Sequence, residues 1–220
     1  MSTIIFSPVE EIIADIAAGK IVIVADDPSR ENEADLVCAA SKATPEIIAF
    51  MASHGRGLIC APITTKQAES LDLPQMSRRN TEALKTAFTI SVDAAKGITT
   101  GISAADRART VNLLADPDTK PDALVKPGHI FPLQSVDGGV LRRAGHTEAA
   151  TDLAMLAGLE PAGVICEIMH ENGNMATVGD LGDYQKQHDL KACTIAQIII
   201  HRRNHEKLVH CTEIIKLPTD

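Results

Sequence analysis

The stretch "SPVEEIIADIAAGKIVIVADD", residues 7–27, sets the fold class. Its first half is punctuated as a helix. Ser7 stands as the N-cap, Pro8 at the first helical position, and Glu10 completes a capping box. Val9, Ile12, Ile13 and Ile16 share one face, and Gly19 ends the segment. The second half, "KIVIVADD", is apolar without alternation, which predicts a strand buried on both faces. A helix feeding such a strand is the building unit of an α/β protein.

The alternation continues to the end of the chain. "TPEIIAFMASHG" repeats the Thr-Pro start and Gly stop of a helix, "GLICAPI" is a strand, and "TTKQAESLDL" is a helix capped by Thr64 with Gln67. "TAFTISVDA" is a strand and "SAADRARTVNLLAD" a helix. "HIFPLQS" and "GVLRR" form short strands around a turn at Gly138 and Gly139. "TEAATDLAMLAGL" is a helix with Thr147 as its N-cap. "AGVICEIM" is a strand, "VGDLGDYQKQHD" a helix, "LKACT" a strand, and "TIAQIIIHRRNHEKL" a helix with a Thr194/Gln197 capping box. No Pro/Gly/Ser-rich linker interrupts this order, so one α/β domain over residues 1–205 is expected, with a mixed sheet because tight turns join some strands.

Composition narrows the function. Lys and Arg number 21 against 29 Asp and Glu, a formal charge of −8, which gives no general footing for nucleic acid or an anionic membrane. Four Phe, one Tyr and no Trp leave little to stack bases on. Anionic small molecules stay open, because a local Arg or a metal reverses the local sign. The five cysteines, Cys38, Cys60, Cys166, Cys193 and Cys211, are odd in number and contain no C-x-x-C, a pattern of reduced thiols in a cytoplasmic protein. "MSTIIFSPVEE" lacks a basic leader, and no apolar run approaches the ~20 residues of a membrane span.

The residues with chemical potential fall in several places. "DDPSRENEAD" puts Asp26 and Asp27 at a strand end, then Glu31, Glu33 and Asp35 at alternate positions. If extended, the last three carboxylates share one side, and a divalent cation or a protonated member must relieve their repulsion. Arg30 offers a fork to a substrate oxygen. A solvated loop is the bland reading of the same residues. In "RRAGHTEA", Arg143, the close backbone approach allowed by Gly145 and the helix start at Thr147 suit a phosphate, with His146 at the lip. Glu167, a carboxylate in an apolar strand, is either an edge residue facing water or an acid/base group with a raised pKa. His129 follows a Pro-Gly turn, where a histidine is commonly polar surface. "SHGRGLIC" offers His54, Gly55, Arg56 and Gly57 as a loop able to close on an anion. "GITTGISAADR" offers Thr99, Thr100 and Ser103, of which Ser103 is equally a helix cap.

Taken in order, "DDPSRENEAD", "HGRGLIC", "GITTGISAADR", "PGHIFPL", "RRAGHTEAATDLAMLAGL" and "PAGVICEIM" resemble the motifs of 3,4-dihydroxy-2-butanone-4-phosphate synthase, an enzyme of riboflavin biosynthesis acting on ribulose 5-phosphate. The resemblance spans roughly residues 5–205. It implies a three-layer sandwich with a mixed, twisted central sheet flanked by helices, and a homodimer with active sites at the subunit interface. It also implies Mg²⁺ (or Mn²⁺), two ions per active site, with Glu31 and His146 as ligands. Arg30, Glu31, Asp35, Thr100 and Glu167 correspond to substrate-binding positions, as do Arg143, Ala144, Gly145, His146 and Thr147 around the phosphate. His129 and Glu167 correspond to the essential catalytic pair. The family usually carries Gly at the positions of Ala34 and Ala144, so activity is expected to survive unless either needs a positive φ.

Two rival functions share these features: another metal-dependent phosphosugar enzyme, such as an isomerase or aldolase, and a non-catalytic sugar-phosphate-binding relative. The tail, residues 206–220, resembles the connector that leads into a GTP cyclohydrolase II domain in bifunctional members. Its alternative is a final strand packed on the domain through Leu208, Val209, Ile214, Ile215 and Leu217.

Overall fold

The computed structural model describes residues 2–206. Seven strands form one mixed sheet: β1 (Val22–Ala25), β2 (Ala34–Ala39), β3 (Cys60–Thr64), β4 (Val92–Ala94), β5 (Leu124–Ser135), β6 (Gly163–Glu167) and β7 (Ala192–Thr194). Their spatial order is β4-β5-β3-β6-β2-β1-β7. β1 pairs with β7, and β3 with β5, in parallel; the other pairings are antiparallel. Helices α1 (Val9–Ala17), α5 (His146–Leu156) and α7 (Ile195–His205) cover one face. α2 (Pro45–Phe50), α3 (Thr65–Ser70), α4 (Ala104–Ala115) and α6 (Leu181–His188) lie on the other.

The expectation of a doubly buried first strand is met residue by residue. Val22 and Val24 pack with Ile12, Ile16 and Leu153, whereas Ile23 and Ala25 pack with the opposite core around Ile48 and Leu114. β2 does the same, Val37 joining the first core and Leu36 and Cys38 the second. The caps at Thr64 and Ser103, and the Thr194/Gln197 capping box, are also present. Cys38, Cys60, Cys166 and Cys193 are free and buried. Among the described residues no helix is long and apolar enough to cross a membrane.

Several local expectations are corrected. Ser7 does not cap α1: Pro8 takes the N-cap position, its O accepting from Glu11 and Ile12 N–H, while Ser7 N–H pairs with Ala192 O at 2.8 Å beside β7. Glu10 instead meets His201 Nδ1 at 3.0 Å. "GVLRR" is no strand but a short 3₁₀ turn at Gly139–Leu141, since its backbone groups serve helix side chains: Val140 N–H donates to Asp152, and Gly138 O accepts from Arg202. "HIFPLQS" belongs to the longer β5, so Pro127 and Gly128 lie within a strand and form no turn before His129. "TAFTISVDA" is regular strand only at Val92–Ala94. α5 begins at His146, with Gly145 and not Thr147 at its cap. The tail reading falls on residues that, apart from Glu206, lie outside those described.

The turn at Gly138 is held by a buried ion pair. Arg202 Nη1 lies 2.7 Å from Asp152 Oδ2, with the two side chains 8% and 6% exposed. Arg202→Ala leaves the Asp152 carboxylate buried with only the Val140 N–H. We expect a loss of about 3 kcal/mol in denaturant unfolding, the low end for removing one partner of a buried pair. A loss below about 0.5 kcal/mol would show that water takes the arginine's place.

Candidate active site

The sheet register creates the site. β2 starts, and β6 ends, at the same edge, so Asp35 and Glu167 are directly opposed partners. The connection between β1 and β2 carries the acidic segment over this edge, and the N-terminus of α5 closes it from the helical side. One cleft is lined by Arg30, Glu31, Glu33, Asp35, Arg143, His146, Thr147 and Glu167, with Cys60, Leu133 and Ile165 as its apolar floor.

The acidic segment reaches the cleft by a different geometry from that expected. Asn32 takes φ 58° and residues 28–31 form turns, so strand alternation covers only the entry into β2. Asp26 organises the turn. Its Oδ2 accepts from Arg30 Nη1 at 2.8 Å and from Glu31 N at 3.2 Å, and its Oδ1 accepts from Glu33 N at 3.0 Å. Arg30 also pairs with Glu31 Oε2. Asp26, Glu31 and His146 each offer a donor atom, and these lie within 4.8 Å of one another. Asp26 is the member that sequence reasoning placed only as a strand end. His146 Nε2 donates to Val24 O at 3.1 Å in the tautomer that leaves Nδ1 free on the side of Glu31, 3.9 Å away. Burial pulls the His146 pKa down, which keeps the ring neutral, as a metal ligand must be. Two carboxylates and one imidazole fit a hard or borderline divalent cation.

Burial, and after it the carboxylates of Glu167, Glu31, Glu33 and Asp26, pushes the Asp35 carboxyl well above the usual aspartate value. Of the crowded carboxyls, Asp35 is the one whose protonated form this setting favours. Glu33 is raised as well, again chiefly by burial. Glu167 is half-buried, and its Oε2 accepts from Leu58 N at 2.8 Å.

Arg143 is braced from three sides. It contacts Glu148 Oε2 at 2.7 Å, Leu84 O at 3.1 Å and Thr86 Oγ1 at 3.2 Å. Glu148 is 1% exposed and also accepts from Val136 N. A Cβ on Gly145 would collide with Arg143 Nη1 and lie 2.9 Å from Glu148 Oε2, so a larger residue there would push the Arg143–Glu148 pair aside. Neither Ala34 nor Ala144 has a positive φ, so alanine is accommodated at both positions.

Not every expected residue reaches the cleft. His129 and Thr100 lie outside it, exposed, beside a separate pair formed by His129 Nδ1 and Asp93 Oδ2 at 2.7 Å. Thr99 and Ser103 serve Asp106 and the α4 cap. The "HGRG" loop meets the cleft through Gly57, whose N–H donates to Glu167 O at 3.2 Å. His54 packs at a tilt against Phe50 and His188, the latter in turn against Tyr184, and Arg56 donates to Met169 O at 3.0 Å.

The family model for 3,4-dihydroxy-2-butanone 4-phosphate synthase matches residues 10–201. The chain belongs to that family. It is 56% identical to "Riboflavin biosynthesis protein RibBA" of Aquifex aeolicus over 97% of this chain and 53% of that protein. It spans about half the length, or less, of the first curated relatives it matches. Among solved structures, the family's two-domain RibBX from A. baumannii superposes with TM-score 0.88 at 51% identity, covering 91% of this chain and 59% of that one. A family synthase described as a complex with two magnesium ions superposes with TM-score 0.87 at 44% identity, covering 91% and 98% of the two chains.

Proposed function

We propose that the chain converts D-ribulose 5-phosphate to L-3,4-dihydroxy-2-butanone 4-phosphate and formate, a step of riboflavin biosynthesis. The observation that carries this reading is the convergence, in one cleft, of a cation-binding triad, an anion cradle and an opposed pair of acids. Asp26, Glu31 and His146 suit Mg²⁺ or Mn²⁺. The relative described as a complex with two magnesium ions is in keeping with our reading of two ions per active site. Bound there, the cation would stabilise negative charge on adjacent sugar oxygens and acidify the neighbouring C–H.

The chain's own groups supply the rest. Arg143 and the N–H groups of His146 and Thr147 at the start of α5 hold the phosphate. Arg30 and Asp35 contact the sugar hydroxyls. His129 and Glu167 move protons: enolisation removes one beside the carbonyl, dehydration delivers one to a leaving hydroxyl, and loss of C4 as formate returns the water. The sequence needs no redox cofactor. Incubation with ribulose 5-phosphate and Mg²⁺, with and without chelator, tests the proposal through released formate. Isomerised or cleaved sugar without formate would favour the isomerase or aldolase reading, and no turnover the binding-protein reading.

A homodimer with composite sites follows from the same reading. His129 is 43% exposed at its side chain and stands apart from the cleft. Leu58, beside Glu167, and Ile102, beside the His129 pair, are 44% and 53% exposed, the apolar surface a second copy would cover. Each dimer site would then combine the cleft of one subunit with His129 and Thr100 of the other. Mixing inactive Glu31→Gln and His129→Gln proteins should restore roughly a quarter of wild-type activity, because half the dimers are mixed and each has one intact site. No recovery after subunit exchange would place His129 and the cleft in the same chain's site. The buried free thiols support a reducing, cytoplasmic setting.

A further inference from the structure

Asp93 makes a contact that the reaction as outlined does not use. It lies on β4, where the pairing with β5 shifts register: Val92 faces Ile130, but Asp93 faces Val125. The β5 residues between them bulge out of the ladder, and side chains of the β4 segment take up the freed amides. Gly128 N donates to Ser91 Oγ at 3.2 Å and His129 N to Asp93 Oδ1 at 2.9 Å. The second carboxylate oxygen of Asp93 meets the His129 ring at Nδ1, 2.7 Å away. One buried carboxylate, 7% exposed, therefore grips both the backbone and the ring of a histidine whose side chain is 43% exposed.

The grip is sealed from above. Gly101 has φ +94°, and a Cβ there would collide with Asp93 Oδ2 and lie 2.6 Å from His129 Nδ1. The loop carrying Gly101 is pinned by Asp106, which accepts from Thr99 N at 3.1 Å, Thr99 Oγ1 at 2.7 Å and Gly101 N at 3.0 Å. The Gly101 backbone thus lies directly against the Asp93–His129 bond.

We propose that Asp93 is the positioning residue for His129, fixing its tautomer and aim so that Nε2 is the nitrogen that exchanges protons with substrate. This rests on the reading of His129 as an acid/base group. An ionised carboxylate only accepts hydrogen bonds, so the contacting Nδ1 must carry the proton. The neutral ring then presents a lone pair at Nε2, ready to take a proton, and the carboxylate stabilises the imidazolium that forms.

Asp93→Asn inverts this arrangement with little change in shape. The amide oxygen still accepts from His129 N–H, but the amide nitrogen faces Nδ1 as a donor and drives the ring proton to Nε2. With ribulose 5-phosphate and Mg²⁺, kcat should fall about 10²-fold with KM within about threefold. ¹⁵N spectra of histidine-labelled protein, assigned by loss of the His129 signals in His129→Gln, should show the proton on Nδ1 in wild type and on Nε2 in Asp93→Asn. Wild-type kcat in Asp93→Asn, or an Nε2-protonated neutral ring in the wild type, overturns the proposal. The wild-type spectrum decides alone if the variant does not fold. An active His129→Gln enzyme sinks the acid/base reading and the proposal with it. An inactive His129→Gln beside a fully active Asp93→Asn sinks the role of Asp93 only.

Discussion

If the proposed function holds, Glu31→Gln is expected to cut formate release by at least about 10³-fold, because a cation held there would supply several kcal/mol of charge stabilisation to the reaction. The substitution keeps the side chain's size and removes its charge. The Glu31 side chain is 32% exposed, so melting temperature should barely move. His146→Ala should be equally inactive. It also removes a buried ring and its bond to Val24 O, so some stability goes with it, and Glu31→Gln is the cleaner experiment. Calorimetric titration with Mg²⁺ supplies a second readout that does not depend on turnover: binding should weaken in both variants. Full formate release in excess EDTA would remove the cation from the reaction altogether.

Glu167→Gln should lower turnover by about 10²–10⁴-fold while substrate still binds. The side chain sits at the end of β6, its Oε2 taking the Leu58 N–H at 2.8 Å. Glutamine can satisfy that donor through its own oxygen, so the local fold has no reason to change. What is lost is the ability to accept and return a proton. Opposed to it, the Asp35 carboxyl is held above the usual aspartate range, chiefly by burial and next by the Glu167 carboxylate. Single-turnover kinetics with measured substrate affinity separates the cases. Turnover near wild type would make Glu167 a purely structural partner of Leu58.

The layers of the fold were legible because they depend on local pattern. "KIVIV" has no polar alternation, and β1 is buried on both faces. Thr44-Pro45, Thr64 and Thr194 announce helices that start where those residues stand. What failed depended on partners distant in sequence. Ser7 is held beside β7 by Ala192 O and leaves the cap position to Pro8, and "GVLRR" lost its strand to Asp152 and Arg202. The same division runs through the site. Glu31, Asp35, His146 and Glu167 could be singled out by type and setting, and the register brings them into one cleft. Asp93 and Glu148 gave no signal, since each acts on a residue reached only through folding. Asp93 reads as an ordinary member of "SVDA", and Glu148 as an ordinary first-turn acid of α5.

The opposition of Asp35 and Glu167 also limits how the gene can change length. β2 is paired on both sides, to Val24 of β1 and Glu167 of β6 at the level of Asp35. Alternate residues of β2 enter opposite cores. Inserting one residue between Asp35 and Val37 would turn the carboxylate toward the layer that holds Leu36 and Cys38, where a lone acid has no partner. Inserting two would restore its face but move it off the level of Glu167. Insertions and deletions that keep the acid pair are therefore confined to the turn before Ala34 and to the opposite edge of the sheet, so the parity of this strand is a constraint that natural variants and designed ones must share.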